Sequence, residues 1–111
     1  MNREESYLLD VYNYAQEAKQ MSEGMDIEDF KLDKQAQYAV LYAITIIGEA
    51  VKRLSAEFRA KHSEIAWKQV AGMRDKLIHD YRETDISLVW AALHSDIPEL
   101  IDYIEPLLRK Q

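Results

Sequence analysis

The 111-residue chain reads as an all-α protein, an up-and-down bundle of four main helices with room for one extra short helix. Three observations point that way. Apolar residues recur three and four positions apart almost throughout, the period of a helix face. No stretch alternates apolar and polar residues as a half-buried strand would. Three glycines and two prolines leave little material for turns, so the connections are short. A chain of this length predicts one domain, 1–111, able to bury a core without staples.

The first helix is expected over about 4–23, with Leu8, Val11, Tyr12, Ala15 and Ala18 as its apolar stripe. "GMDIEDFKLD" is a connection with space for one helical turn, and Asp33 suits the cap of the next helix. That second helix is long, about 34–60, with a seam from Ala36 and Val40 through Ile47 and Val51 to Phe58. Gly48 sits inside it. A mid-helix glycine costs about 1 kcal/mol against alanine, so another backbone is expected to approach closely there. "RAKHSEI" breaks the pattern, Ser63 is a candidate cap, and Trp67 opens a third helix to about residue 80. "RETD" is a turn, and Asp85 can cap a fourth helix whose apolar residues run from Leu88 and Val89 to Ile104 and Leu107. Pro98 predicts a kink, or a split near Asp96, and Pro106 a loosened last turn.

Composition narrows the function classes. The absence of cysteine excludes disulfides and thiolate metal sites. The charged N-terminal stretch lacks the apolar region of a secretory signal, and the longest apolar run, "AVLYAITIIG", is too short to span a membrane. A cytoplasmic protein with no membrane contact is expected. The net charge of −6 argues against a protein that coats nucleic acid, and no DNA partner is expected. The charge is uneven. Residues 50–82 hold eight Lys/Arg against four Asp/Glu, whereas the rest hold six against sixteen.

The less acidic region contains "GMRDKLIHDYRE", in which Arg74, His79 and Tyr81 are spaced R-x-x-x-x-H-x-Y. On a continuous third helix the inward stripe runs Trp67, Val70, Ala71, position 74, Leu77, Ile78 and Tyr81. Arginine occupies the apolar slot. Burying an unpaired guanidinium costs several kcal/mol, so Arg74 is either paired or lines a wet cleft. Glu49 is one candidate partner, and an anion arriving with a ligand is another. On such a helix His79 lies about 140° around the axis from Arg74, with Cα atoms roughly 8–9 Å apart, while Tyr81 returns to within about 20°. Fraying near His79, or a second chain, is needed to bring the tips of Arg74 and His79 together. Gly72, Asp75 and His79 share another face, where Asp75 can orient His79 and Gly72 leaves room for close approach. These residue types suit metal-free cleavage of an RNA phosphodiester. Histidine exchanges the protons, arginine stabilises the charged transition state, and the RNA supplies its own 2′-hydroxyl nucleophile. The same residues also fit a plain helical domain, with Arg74 bridged to Glu49, His79 a solvated helix-end cation and Tyr81 a core aromatic.

At these positions the chain resembles the HepT-like toxins of the HEPN superfamily. The likeness extends over "IIGEAVKRL" (46–54), "IAWKQVAGMRDKLIHDY" (65–81) and "LVW…DIPEL" (88–100). It implies a HEPN-like helical domain and a type II toxin–antitoxin pair. It further implies a cytoplasmic homodimeric endoribonuclease whose two motifs face each other across one cleft, with no cofactor or metal. Arg74 and His79 become the catalytic pair. Tyr81 becomes the residue on which a partner nucleotidyltransferase antitoxin of the MntA type places AMP. The other function class is a non-catalytic helical module that dimerises and binds such a nucleotidyltransferase.

His62 and His94 lack companions at metal-ligand spacing and read as surface or interface residues. Tyr7, Tyr12, Tyr14, Tyr38 and Tyr42 read as half-buried packing and dimer-face residues, with base stacking as the second reading. Trp67 and Trp90 read as core. The acidic excess over residues 4–33 reads as a solvated face, or as the antitoxin-binding surface.

Overall fold

The structure is a computed structural model that describes residues 2–80 and 83–109, the side chains of His79, Asp80 and Glu83 excepted. It shows the expected all-α fold. Helix α1 spans Arg3–Met21 and α3 spans Lys34–Arg53. They run antiparallel: Glu4 accepts hydrogen bonds from the Ser55 backbone N–H (2.8 Å) and hydroxyl (2.9 Å), and the Tyr14 ring meets that of Tyr42. Leu8, Val11, Ala15 and Ala18 of α1 face Val40, Ile44, Ile47 and Val51 of α3, and all are buried. The core is closed by α7 (Ile86–His94) and α8 (Asp96–Arg109) through Val89, Ile97, Leu100 and Ile104.

Caps explain most boundaries. The extra turn in the first connection is a complete short helix, α2 (Ile27–Leu32), held by a reciprocal capping box between Asp26 and Asp29. Its last carbonyls, on Phe30 and Lys31, are closed by the buried Gln37 amide at 2.8 and 3.0 Å. Asp33 and Asp85 cap α3 and α7 as expected. The fourth helix divides at Ser95, placing Pro98 in the first turn of α8, where a missing N–H is harmless. Pro106 does not end α8, which continues to Arg109.

Three expected boundaries are corrected. The long second helix stops at Arg53, and Ser55 caps a separate α4 (Ala56–Lys61) by accepting from the Phe58 N–H. Ser63 caps nothing; Ala66 precedes the next helix with no side-chain cap. The third helix is two short ones, α5 (Trp67–Ala71) and α6 (Met73–Leu77), hinged at Gly72. It ends well before residue 80. The backbone of Ile78–Asp80 (β1) is extended and pairs antiparallel with Glu83–Thr84 (β2), Ile78 opposite Thr84. Both are β-branched, a type that favours strands. The Leu77 carbonyl accepts from Asp85 at 3.0 Å, which closes the helix end.

His62 is half-buried rather than a free surface residue. Tyr103 donates its hydroxyl proton to Glu64 (3.0 Å), so its oxygen accepts from His62 Nδ1 (3.0 Å), which fixes the imidazole tautomer. The chain ties the α4–α5 connection to α8. Trp67 is core, and its indole N–H donates to the His62 carbonyl at 2.8 Å. Trp90 is only partly buried, between Phe30 and His94.

Candidate active site

The break at Gly72 decides what Arg74 does. Helix α6 buries Met73 and Leu77, so the inward slot expected at position 74 belongs to Met73. Arg74 turns outward, its side chain half exposed. The apolar-stripe expectation fails because it assumed one continuous helix. The expected arginine in a wet cleft is what remains.

That cleft, of about 280 Å³, is lined by Thr45, Gly48, Glu49, Lys52, Ala71, Arg74 and Asp75. Gly48 builds it. A Cβ at Gly48 would stand 3.0 Å from the Ala71 carbonyl oxygen, so any larger residue would push the end of α5 a few tenths of an ångström off α3. The close backbone approach expected from the mid-helix glycine is present. The juxtaposition sets Glu49, the next residue, beside the first turn of α6.

The ion pairs in the cleft differ from expectation. Arg74 Nη1 bonds the carboxylate of its own neighbour, Asp75, at 3.2 Å. Glu49 instead pairs with Lys52 at 3.8 Å. Both pairs are solvent-exposed, with side chains from half to three-quarters accessible, and such pairs contribute about 0–1 kcal/mol. The guanidinium is therefore weakly held and can exchange Asp75 for an incoming anion.

Of the expected site residues, Arg74, Asp75 and Glu49 come together. Gly72 lines a different cleft, of about 370 Å³, with Lys76, Asp96 and Glu99. A Cβ at Gly72 would make only an ordinary 3.6 Å contact with the Lys68 carbonyl, so nothing among the described residues demands glycine there. His79 falls on the extended Ile78–Asp80 segment, which removes the helical face expected to join it to Gly72 and Asp75. The 140° separation expected for a continuous helix no longer applies. Tyr81 lies outside the described residues, as does the side chain of His79. Lys52 and Thr45, which share the cleft, were missed; their signal was spacing, three to four residues from Gly48 and Glu49 along the outer face of α3.

The HepT-like family model, described as "Ribonuclease HepT-like", matches residues 11–107. The chain belongs to the HepT-like ribonuclease family. It is 40% identical over 101 residues to the "Probable ribonuclease HepT" of Thermococcus cleftensis, covering 91% of this chain and 92% of that protein. The "Putative RNase TTE0752" of Caldanaerobacter subterraneus is 44% identical over 88 residues, 79% of each chain. The "Putative RNase MJ0125" of Methanocaldococcus jannaschii is 36% identical over 104 residues, 94% of this chain and 90% of that protein. No solved structure matches the chain. The ribonuclease resemblance read from the motif is thus shown at the level of family. Among the described residues no helix is long and apolar enough to cross a membrane.

Proposed function

We propose that this HepT-like protein is a metal-independent endoribonuclease, the toxin of a type II toxin–antitoxin pair. In this reading it works in the cytoplasm as a homodimer in which Arg74 and His79 of both protomers share one cleft. The observation that carries it is Arg74, which lines a cleft and, among the described residues, is held by one weak exposed pair. Its planar guanidinium can take two oxygens of a phosphate at once.

The chemistry follows from the residue types. Neutral His79 removes the 2′-hydroxyl proton, and the 2′-oxygen attacks the adjacent phosphorus. The bond from phosphorus to the 5′-oxygen breaks, and a protonated His79 supplies the proton to that oxygen. The products are a 2′,3′-cyclic phosphate and a 5′-hydroxyl end. Arg74 stabilises the negative charge that builds on the phosphorane oxygens. Asp75 holds the guanidinium between turnovers and gives it up to the incoming phosphate, while Glu49, paired with Lys52, borders the same cleft.

Silencing falls to Tyr81. A nucleotidyltransferase antitoxin of the MntA type transfers AMP from ATP to its hydroxyl, releasing pyrophosphate. The added phosphodiester anion and base occupy the cleft and repel RNA.

Incubating the purified protein with single-stranded RNA in EDTA tests the reading. Cleavage leaving 2′,3′-cyclic phosphate ends is expected, with Arg74→Ala and His79→Ala each reducing it by about 10²-fold or more. Loss of cleavage in EDTA with recovery in magnesium overturns the mechanism. A chain that leaves RNA intact in either buffer but binds a nucleotidyltransferase is an interaction module instead.

A further inference from the structure

The outer face of α3 carries two residues that the cleavage mechanism does not use. Tyr38 and Tyr42, one turn apart, are 64% and 60% exposed, among the most exposed large hydrophobic residues of the described chain. Their position matters more than their exposure. Lys34, Tyr38, Tyr42, Thr45, Glu49 and Lys52 fall within about 80° of one another around the helix axis, a single stripe roughly 27 Å long. Three of the six, Thr45, Glu49 and Lys52, already line the Arg74 cleft. The tyrosines therefore lie on the approach to the cleft, Tyr42 about 10 Å along the axis from Glu49 and Tyr38 about 6 Å further.

We propose that Tyr38 and Tyr42 form a base-stacking platform that holds the single strand of RNA leading into the Arg74 cleft. The inference rests on the ribonuclease reading of that cleft. Stacking on aromatic faces beside a positive groove is how proteins hold single strands with little sequence preference. The stripe carries the aromatic faces and leads into the cleft that holds the cationic Arg74 and Lys52. Its two lysines against one glutamate leave it +1 in a chain of −6, with a lysine near each end for the phosphates. Tyr14 packs against Tyr42 at a 67° interplanar angle with centroids 6.1 Å apart, which limits the Tyr42 ring's rotation and presets a surface for a base. A second copy of the chain is the weaker occupant. The core of a protein interface is depleted of charge, whereas Tyr38 has the charged Lys34 one turn before it on the same stripe.

The test uses the whole protein and a fluorescein-labelled single-stranded RNA bearing 2′-O-methyl groups throughout, which cannot undergo 2′-hydroxyl attack. Fluorescence anisotropy should show Tyr38→Ala and Tyr42→Ala each weakening binding roughly tenfold. Tyr42→Phe, which keeps the ring, should bind like wild type. The salt dependence of binding should be unchanged in the tyrosine variants and shallower in Arg74→Ala, because stacking releases no counterions. On cleavable RNA the tyrosine variants should raise KM and leave kcat near wild type. Unchanged binding and KM in the double variant, with wild-type protein cutting normally, overturn the platform and leave the cleft reading standing. Wild-type protein that neither binds nor cuts RNA overturns both. Variants that sediment as monomers where wild type is dimeric give the face to a second copy and also overturn the platform. Should Tyr42→Ala unfold the protein, Tyr38→Ala decides alone, since that ring is the more exposed of the two.

Discussion

The direction of Arg74 depends on a break in the helix two residues before it. A continuous helix would have forced the guanidinium into the core; the hinge at Gly72 gives that slot to Met73 and sends the arginine to water. The motif's residue types and spacing could be read from sequence, but the arginine's direction could not. Gly72 leaves the helical well (φ −93°, ψ 4°) without the positive φ that would call for glycine, and no proline follows, so no strong breaker marks the hinge. Because Arg74 is half exposed and weakly paired, Arg74→Lys should leave the melting temperature nearly unchanged, within the about 0.5 kcal/mol usual for surface changes. It should nonetheless lose most cleavage, since an ammonium cannot bind two phosphate oxygens in the arginine geometry. Thermal unfolding and single-turnover cleavage measure the two effects separately. A variant that cuts like wild type would reduce Arg74 to a point charge. Gly48→Ala is expected to do the reverse. The new methyl gains about 1 kcal/mol of helix propensity but meets the Ala71 carbonyl, and overpacking costs about 1–3 kcal/mol. The melting temperature should fall, and cleavage should fall with it as α5 and α6 move off α3.

At the scale of elements, boundaries set by a side-chain cap were legible and those set by tertiary contact were not. Asp33 and Asp85 announce α3 and α7 because an aspartate before an apolar run is a local signal. The end of α6 is fixed by the pairing of Ile78 with Thr84 and by a hydrogen bond from Asp85, partners several residues downstream. The α4–α5 connection is held by His62, Tyr103 and Glu64, which lie up to 41 positions apart. Tyr103→Phe removes the hydroxyl that joins the other two and should cost about 0.5–1.5 kcal/mol. The pH profile should carry the same signature. Glu64 is held below the ordinary carboxylate range, first by its own backbone N–H and then by the Tyr103 hydroxyl. A lowered folded pKa gives stability that is present above the unfolded value and lost as pH falls through the folded one. Tyr103 is pushed up, first by burial and then by its bond to Glu64, so its contribution is lost as pH rises past the ordinary phenol range. Melting curves against pH should therefore show a weaker acid-side loss in Tyr103→Phe than in wild type, and no phenol step from this position. Identical slopes would mean that water replaces the hydroxyl fully.

For the whole molecule, the open question is whether one chain holds a complete site. Glu49, Arg74 and Asp75 share a cleft, but Gly72 faces another, and nothing among the described residues requires it to be glycine. If two protomers meet with two-fold symmetry over this region, a self-facing contact places equivalent residues of both chains near one axis. A glycine there permits backbone approach that a methyl would block. Gly72→Ala separates the two possibilities. Its Cβ makes only an ordinary contact inside the chain, and alanine is the better helix former, so protomer folding should be unharmed or slightly improved. Sedimentation at micromolar concentration should show wild-type protein as a dimer and Gly72→Ala shifted toward monomer. Cleavage should fall in parallel and recover as the variant's concentration is raised, which no defect confined to one chain would produce. A variant that dimerises and cuts like wild type would exclude Gly72 from the interface. A wild-type monomer that cuts RNA at full rate would mean that each chain carries its own site.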